Sequence, residues 1–396
     1  MELIMYHLAE VKTRKQKKEF LRLPAFLYRL EEDKNWISPL YSDMKRFFDP
    51  DKNPLFEEGE MNRWLLYDVN KHLLGRIAAF YLISSLREKV PTGYFGFFEC
   101  TDDKEGSGHL FDVARNWLVS KGIKAMQGPV FLSKPGIFSG SLIRGFYAPV
   151  YGMPYNFPYY NDLFLDYGFK EIQSQNTYRI SLDNSPYWKF VGKKAVKFYH
   201  DLRYRFEAFE PEEIEQYADD FAFIYNKMWL GFPGMIPMTK TLAEKWLKSL
   251  RPVLNKRTIV FGYFEDKPIA FLITIPDIHH ILKKFSGKYN LFYRLYLWLV
   301  VRILKDISTL SGISYGIVPE YAGENVEAAL FDSFKELLKL NKLKFNELKL
   351  SRVGDFAPGM KKIAEQLGGE IYHQYIIYQL LFDEVEKEKT EPGISS

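Results

Sequence analysis

One stretch of the chain, residues 313–338, constrains the fold more than any other. Residues 313–318 are mostly β-branched or aromatic and predict a buried strand. Pro319 ends this strand, and a helix is predicted to begin near Asn325, because apolar side chains then recur at helical spacing. The first N–H groups of such a helix have no partners within it and point toward the preceding turn. The stretch therefore predicts a strand, a turn and a helix whose N-terminus can hold an anion.

The first half of the chain contains the same order of elements. Residues 93–100 predict a central strand, residues 101–108 a polar turn, and residues 109–121 a helix with one apolar face. Gly106 and Gly108 lie in the turn, where glycine lets the backbone approach a ligand closely. Two interpretations stay open: plain turn glycines, or a loop that faces a phosphate-bearing ligand.

The second half of the chain repeats the order of the first. The strand pair predicted at 63–83 has a counterpart at 258–275. Gly168, which ends a predicted helix, has a counterpart in Gly368. A length of 396 residues also suggests about two domains.

These repeats set the expected domain boundaries. We predict one domain at 1–186 and a second at 187–384, joined by a linker near residue 185. The second domain has a helical insertion at 276–310 that has no counterpart in the first. A polar, charged tail at 385–396 is expected to be flexible.

Composition excludes several classes of protein. The net charge of +4 is too small for this length to indicate nucleic-acid binding. The single cysteine, Cys100, excludes an intramolecular disulfide and favours a reducing, cytoplasmic compartment. The N-terminus has no signal-peptide pattern, and no apolar run is long enough to span a bilayer. Aromatic residues make up 17% of the chain, which indicates either an aromatic-rich core or an apolar pocket.

The core of the insertion, residues 290–304, is apolar on nearly all sides and has basic residues around it. Three interpretations stay open: a buried helix, a lid over the apolar chain of a ligand, or a helix that lies in a membrane interface. Arg294 and Arg302 exclude a simple membrane span, whereas a basic rim with aromatic residues suits a bilayer surface. Residues 288–305 are therefore a candidate for peripheral membrane contact.

Several segments spread over nearly the whole chain resemble one protein family. They combine proline, asparagine, glycine and aromatic residues in a fixed order: residues 49–54, 75–79, 96–100, 153–160, 276–277 and 318–321. By these segments the chain resembles the GNAT superfamily of N-acyltransferases. More narrowly, it resembles a group of tandem GNAT-like proteins, some of which are linked to bacterial ceramide synthesis, the N-acylation of a long-chain base. The resemblance implies an α/β (α+β) fold of two tandem GNAT-like domains, each with a mixed, mostly antiparallel sheet flanked by helices.

The resemblance also implies ligands and the residues that hold them. The donor would be acyl-CoA or an acyl carrier protein, the acceptor an amine such as a long-chain amine, and no metal ion would take part. Loops of this family hold pyrophosphate through backbone N–H groups, which implies donor-binding residues in both halves: Cys100, Gly106, Ser107 and Gly108 in the first, and Val318, Gly323 and Asn325 in the second.

The sequence departs from the family pattern at both loops. Asp103 and Ala322 stand where the family has Arg or Gln, and Asn325 and Glu327 stand at its two small positions. A second function class therefore stays open: a non-catalytic protein that kept the fold, lost the donor site and binds a lipid-like ligand or a partner at a membrane surface.

Candidate catalytic residues follow from the chemistry of N-acyl transfer. The reaction needs a base for the amine proton, a donor for the carbonyl oxygen and a proton for the leaving thiolate. Glu99 and Glu320, at the ends of the two central strands, are candidate bases, or else solvated strand-end carboxylates. Tyr160 is the candidate acid, or else a packing residue, because the family's usual tyrosine position is Phe164 here. The sequence does not indicate which half acts.

Overall fold

The computed structural model describes residues 6–53, 55–132, 137–183, 186–229, 237–254, 256–285, 291–300 and 307–383. Several predictions fall on other residues. The tail at 385–396, the middle of the linker, and residues 286–290 and 301–306 of the insertion lie outside the described residues, as does the side chain of Arg294.

Within the described ranges, fourteen strands form one mixed sheet. In chain order they are β1 (His7–Glu10), β2 (Gly59–Tyr67), β3 (Leu73–Leu82), β4 (Thr92–Cys100), β5 (Ala125–Leu132), β6 (Ile137–Ser139), β7 (Ser141–Arg144), β8 (Lys170–Ser181), β9 (Tyr204–Ala208), β10 (Ile259–Phe264), β11 (Lys267–Pro276), β12 (Thr309–Ile317), β13 (Glu347–Gly354) and β14 (Glu370–Leu381). Their order across the sheet is β1-β2-β3-β4-β5-β14-β8-β13-β12-β11-β10-β9, with β6 paired to β5 and β7 to β14. Two pairs run parallel, β4–β5 and β12–β13, one in each half.

Helices cover the sheet. They are α1 (Arg14–Leu30), α2 (Tyr41–Phe47), α3 (Leu55–Glu58), α4 (Lys104–Ser120), α5 (Tyr160–Tyr167), α6 (Pro186–His200), α7 (Ile214–Trp229), α8 (Lys240–Leu250), α9 (His279–Phe285), α10 (Leu291–Trp298), α11 (Val326–Leu340) and α12 (Pro358–Gln366). The prediction of an α/β (α+β) fold with a mixed, mostly antiparallel sheet flanked by helices is confirmed, and one sheet serves both halves.

The two halves exchange their last strands. β8, from the first half, pairs with β13 of the second, where Ile180 lies opposite Leu348. β14, from the second half, pairs with β5 of the first, where Leu380 lies opposite Met126. β8 and β14 also pair with each other, so the sheet runs without a break through both halves. The sequence did not indicate this exchange.

The second half packs helices on both faces of its sheet. On one face, Leu310, Leu348 and Leu350 are fully buried in a cluster that includes residues of α6, α11 and α12. On the other, Phe261 and Phe271 pack against residues of α7 and α8. Alternation along each strand sends successive side chains to opposite faces, which assigns each strand residue to one helical layer.

In the second half, the two central strands diverge and leave a wedge between them. β12 and β13 pair only from Thr309 opposite Glu347 to Gly312 opposite Leu350. Beyond that point β12 continues beside β11, whereas β13 continues beside β8. Arg352 has a φ of 62° in a bulge of β13 at the start of the divergence. The wedge opens toward the turn that leads into α11.

The described part of the insertion contains two short helices, α9 and α10. α10 buries Tyr293 and Leu297 but exposes a row of large apolar side chains on its outer face: Leu291, Phe292, Leu295 and Trp298. Among the described residues, no helix combines the length and the apolar character that crossing a bilayer requires.

Candidate functional site

The end of β4 holds a buried charged group in the first half. The Arg76 guanidinium lies 3.3 Å from Glu99 Oε1, and the Tyr160 hydroxyl donates a hydrogen bond of 2.8 Å to Glu99 Oε2. Arg76 also donates to the backbone carbonyl of Phe20 in α1. The strand register fixes this arrangement, since Arg76 of β3 lies directly opposite Glu99 of β4. Two predicted residues, Glu99 and Tyr160, are therefore brought together, with Arg76 as a partner that was not predicted.

Burial sets the electrostatics of this group. It raises the pKa of Glu99, although the charge of Arg76 and the Tyr160 hydrogen bond oppose that shift. Burial likewise raises the pKa of Tyr160 well above that of a free phenol. As whole residues, all three are 8% exposed or less, and a buried ion pair of this kind leaves a costly unpaired charge if either partner is removed.

Two tyrosine hydroxyls form hydrogen bonds with the backbone at the end of β4. The Cys100 N–H donates to the Tyr160 hydroxyl over 3.1 Å, and the Tyr159 hydroxyl donates to the Cys100 carbonyl over 2.8 Å. The Cys100 side chain is fully buried, and burial raises the pKa of its thiol. The polar edge that this strand could offer to a ligand is thus already bonded within the protein.

The predicted turn at 101–108 is wrong in its second half, because α4 already begins at Lys104. Asp103 caps the helix, and its carboxylate accepts a hydrogen bond of 3.0 Å from the Gly106 N–H. The Ser107 hydroxyl donates to the Lys104 carbonyl, and a Cβ at Gly108 would meet no atom within 4 Å. Gly106, Ser107 and Gly108 therefore lie in the first turns of the helix, whose N-terminus carries a protein carboxylate.

The wedge of the second half presents a weakly held backbone donor. The Ile317 N–H points toward the Sδ atom of Met228 in α7, 3.1 Å away. A thioether is a weak hydrogen-bond acceptor on a flexible side chain, so a carbonyl oxygen can replace it. The neighbouring Val318 N–H, by contrast, donates to the Ile269 carbonyl of β11 over 2.8 Å. The predicted Val318 N–H is thus bonded to the sheet, and the Ile317 N–H offers the donor.

Across the wedge, β13 contributes Arg352, whose backbone carbonyl accepts a hydrogen bond of 2.6 Å from the Tyr315 hydroxyl of β12. Burial lowers the pKa of Arg352. This bond joins the two strands where they part.

The N-terminus of α11 lies beside a small cavity of about 20 Å³. Gly323, Asn325, Glu327 and Lys362 contribute to its lining. Asn325 precedes the helix with a φ of 70° and makes no capping bond through its side chain. Instead, Glu327 Oε1 accepts a hydrogen bond of 3.0 Å from the Gly323 N–H. Gly359 of α12 makes room for this carboxylate, because a Cβ there would lie 2.1 Å from Glu327 Oε1.

Glu320 lies apart from Glu99 and Tyr160, in the turn that follows β12. Its side chain is 62% exposed and lies 3.7 Å from Lys227 of α7. Because Lys227 and Met228 are consecutive, Glu320 and the Ile317 donor border the same end of α7. The predicted residues thus form two separate groups, one in each half.

Sequence reasoning missed Arg76 and Met228. A single arginine in an otherwise apolar strand was an available signal for a buried ion pair. Nothing in the local sequence marked Met228. Among the described residues, no cluster of three His, Cys, Asp or Glu side chains could hold a metal ion.

Comparison with known proteins gives relatives over nine-tenths of the chain. No protein-family model matches. The chain is 25% identical over 375 residues to a bacterial ceramide synthase of Caulobacter vibrioides, covering 93% of this chain and 96% of that protein. It is 26% identical over 375 residues to protein YghO of Escherichia coli K12, covering 91% and 92% of the two chains.

Two solved structures share the fold. One is a GCN5-related glucosamine N-acetyltransferase region in a fungal multi-domain β-N-acetylglucosaminidase, with a TM-score of 0.55 and 9% identity; it matches 96% of this chain, which spans only 38% of that one. The other is a tandem GNAT protein from the clavulanic acid biosynthesis pathway, with a TM-score of 0.52 and 10% identity over 95% of this chain and 98% of that one. The chain therefore has the tandem GNAT fold.

Proposed function

We propose that the protein is an N-acyltransferase that binds the acyl donor in the wedge between β12 and β13. The observation that carries the proposal is the Ile317 N–H, which faces a displaceable thioether rather than a strong acceptor. The similarity to a bacterial ceramide synthase over nearly the whole of both chains supports the same reaction class.

An acyl-CoA donor would extend from the wedge to the N-terminus of α11. Backbone N–H groups at Gly323 and Asn325, together with the Lys362 ammonium, suit its phosphates. Glu327 would disfavour these phosphates, because its negative carboxylate repels them and already accepts the hydrogen bond from the Gly323 N–H. Donor binding would therefore require Glu327 to turn away, and this residue is expected to weaken the site.

The chemistry assigned to the chain is limited to two residues. The Ile317 N–H would stabilise the negative charge that develops on the thioester carbonyl oxygen when the amine attacks. Glu320 would take the proton that the amine nitrogen loses as the C–N bond forms. The C–S bond then breaks, and the released thiolate takes a proton from water. In this proposal Glu99 and Tyr160 hold β4 in place, and a direct role for them is the competing prediction.

We further propose that the acceptor is a long-chain amine reached from a membrane surface, with the rest of the protein in the cytoplasm. The outer face of α10 exposes Phe292 at 75% and Trp298 at 55%, beside the exposed Lys283 and Lys284 of α9. Apolar side chains next to lysines suit an anionic bilayer surface. Sedimentation with phosphatidylglycerol vesicles should capture the protein, and the Phe292→Asp/Trp298→Asp variant should stay in solution. Equal sedimentation of both would contradict the membrane contact.

Calorimetry with acetyl-, octanoyl- and palmitoyl-CoA tests the proposed function, together with an assay for thiol release in the presence of decylamine. We expect binding of at least one thioester and amine-dependent thiol release. Binding of none would contradict the proposal.

One observation favours the alternative, a non-catalytic binding protein. Carboxylates lie at the N-termini of both α4 and α11, where a pyrophosphate would need positive potential. If vesicles bind the protein while no thioester does, the alternative would be the better account.

A further inference from the structure

The outer surface of α6 concentrates positive charge. This helix contains four lysines and no acidic residue. Lys189, Lys193 and Lys197 are exposed on the side that faces away from the sheet. The opposite side of the helix, which includes Val191 and Ala195, is fully buried in the cluster that α6 shares with α11 and α12. The lysines therefore form a row that is open to solvent and available to a partner.

The neighbouring helix α11 does not neutralise this row. Asp332 accepts a hydrogen bond of 2.8 Å from the Tyr199 hydroxyl, and Glu336 lies 3.4 Å from the ammonium of a lysine of its own helix. Phe190 of α6 is 50% exposed, and the Lys194 ammonium lies 4.4 Å from the centre of its ring. Lysines around an exposed aromatic side chain suit an acidic protein surface, because charge steers the encounter and the ring can be buried at the centre of the contact.

This surface adjoins the proposed donor site. Lys194 Nζ donates a hydrogen bond of 2.9 Å to the side chain of Gln366 in α12. Gln366 in turn lines the cavity at the N-terminus of α11, together with Gly323 and Lys362. A partner that docks on α6 could therefore present a group at the entrance of the donor site.

The donor site favours a donor that has few phosphates. The cavity at the N-terminus of α11 has a volume of only about 20 Å³, and Glu327 places a carboxylate beside it. CoA carries three phosphate groups, whereas the phosphopantetheine arm of a carrier protein carries one. Because repulsion grows with the charge of the ligand, Glu327 disfavours CoA more than it disfavours such an arm.

A bilayer fits this surface less well than a protein does. Leu272 of β11 packs in the cluster that contains α6, whereas Ile275 of the same strand packs in the cluster that contains α10. Residues three apart on a strand point to opposite faces of a sheet. The helices α6 and α10 thus belong to opposite layers, and a flat bilayer that meets the outer face of α10 leaves α6 free.

We propose that α6 docks an acidic carrier protein, which delivers the acyl chain on a phosphopantetheine arm. The inference rests on the proposed function, because the arm would place its thioester in the same wedge. Carboxylates of the carrier would meet Lys193 and Lys197, and the phosphate of the arm would lie near Lys362. As the C–N bond forms and the C–S bond breaks, Glu320 takes the amine proton, and the thiolate left on the carrier takes a proton from water.

Calorimetry at about 150 mM salt tests the docking surface, with the acyl carrier protein of bacterial fatty-acid synthesis as the probe. We expect the wild-type protein to bind the palmitoyl-loaded carrier. Lys193→Glu/Lys197→Glu should weaken this complex about tenfold or more, because two attractive contacts become repulsive. The same variant should weaken palmitoyl-CoA binding less than threefold, since CoA does not reach the outer side of α6.

A matched control makes the same change of charge elsewhere. Arg14 and Lys18 of α1 are also exposed and four residues apart. Arg14→Glu/Lys18→Glu should leave the affinity for the palmitoyl-loaded carrier unchanged. As a readout that needs no donor site, carrier protein without its arm should compete with the loaded carrier for the wild-type protein.

Equal affinity of the wild-type protein and Lys193→Glu/Lys197→Glu for the loaded carrier would overturn the inference. Loss of phosphatidylglycerol vesicle binding in this variant would also overturn it, because α6 would then be a membrane contact. Failure of the proposed function has a different signature: carrier protein without its arm would still compete, but neither palmitoyl-CoA nor the loaded carrier would give amine-dependent thiol release.

Discussion

The two halves share one order of elements but differ at the place where their central strands end. In the first half, Tyr159 and Tyr160 bond the backbone of Cys100, and Glu99 is held by Arg76. In the second half, β12 and β13 diverge, and the Ile317 N–H faces the thioether of Met228. A repeated fold therefore need not repeat the hydrogen bonding at its strand ends: one half closes its strand end with strong hydrogen bonds, whereas the other leaves a backbone donor opposite a weak acceptor.

The largest expected effect tests whether the first half is structural. Arg76→Met leaves the Glu99 carboxylate buried without its ion pair, and we expect the free energy of unfolding to fall by about 3–5 kcal/mol. Donor affinity of the folded protein should not change. Urea denaturation and calorimetry with palmitoyl-CoA measure the two quantities. A variant of normal stability, or one that loses donor binding while folded, would break the comparison.

The junction between the halves should be sensitive to acid. His373 has a pKa of about 3 when folded, against about 6.5 in an unfolded chain, so its neutral form stabilises the fold above pH 6.5. This contribution is lost as the pH falls from about 6.5 toward 3, by up to about 4 kcal/mol near pH 3.5. His373→Phe should flatten the pH dependence of unfolding over that range. Parallel curves for the two proteins would be inconsistent with a buried neutral imidazole.

A third prediction compares the two candidate bases. Glu320→Gln should lower kcat about a hundredfold and leave the donor Kd unchanged, because the amide cannot accept the amine proton. Glu99→Gln, measured per folded molecule, should keep kcat within about twofold. Thiol-release kinetics with saturating amine distinguish them. The opposite result would move the active site to the first half and restore Glu99 as the base.

The smallest effect concerns the carboxylates at the two helix N-termini. Glu327→Gln keeps an acceptor for the Gly323 N–H and removes a negative charge, so palmitoyl-CoA should bind about three- to tenfold more tightly. Asp103→Asn makes the same change at α4 and serves as the control, for which we expect no change. Calorimetry at low salt gives both values. A tighter complex for Asp103→Asn alone would place the donor in the first half.

Much of the local structure was predictable from the sequence. The expected strand at 93–100 is β4, at Thr92–Cys100, and the expected helix after Asn325 is α11. The strand is a continuous apolar run that is buried along its whole length, and the helix has an apolar stripe on its buried face. The helix predicted at 109–121 starts five residues earlier as α4, because Asp103 caps it and glycine was interpreted as a turn signal.

The exchange of strands could not be predicted in the same way. β8 begins at Lys170, because its polar first part is held by pairing with β14 and not by an apolar pattern of its own. Pairing between residues far apart in sequence leaves little local signal. For the same reason, the pairing of Thr177 in β8 with His373 in β14 was not predicted.

The candidate site was predictable only in part. Glu99 was expected at the end of a central strand and lies there, and the hydrogen bond that it accepts from Tyr160 was not predicted. Glu320 was expected beside a strand end and does lie there, but its partner Lys227 comes from α7. The Ile317 N–H faces the wedge because β12 and β13 diverge. That divergence depends on the pairing of β12 with β11 and of β13 with β8, for which the local sequence carries no signal.

Hydrogen–deuterium exchange with and without palmitoyl-CoA tests the central claim, that the second half holds the acyl donor. The account predicts slower exchange of backbone amides at 315–328, including Ile317 and Gly323, and no change at 97–108. Protection confined to 97–108, or no protection at 315–328 under saturating donor, would contradict it.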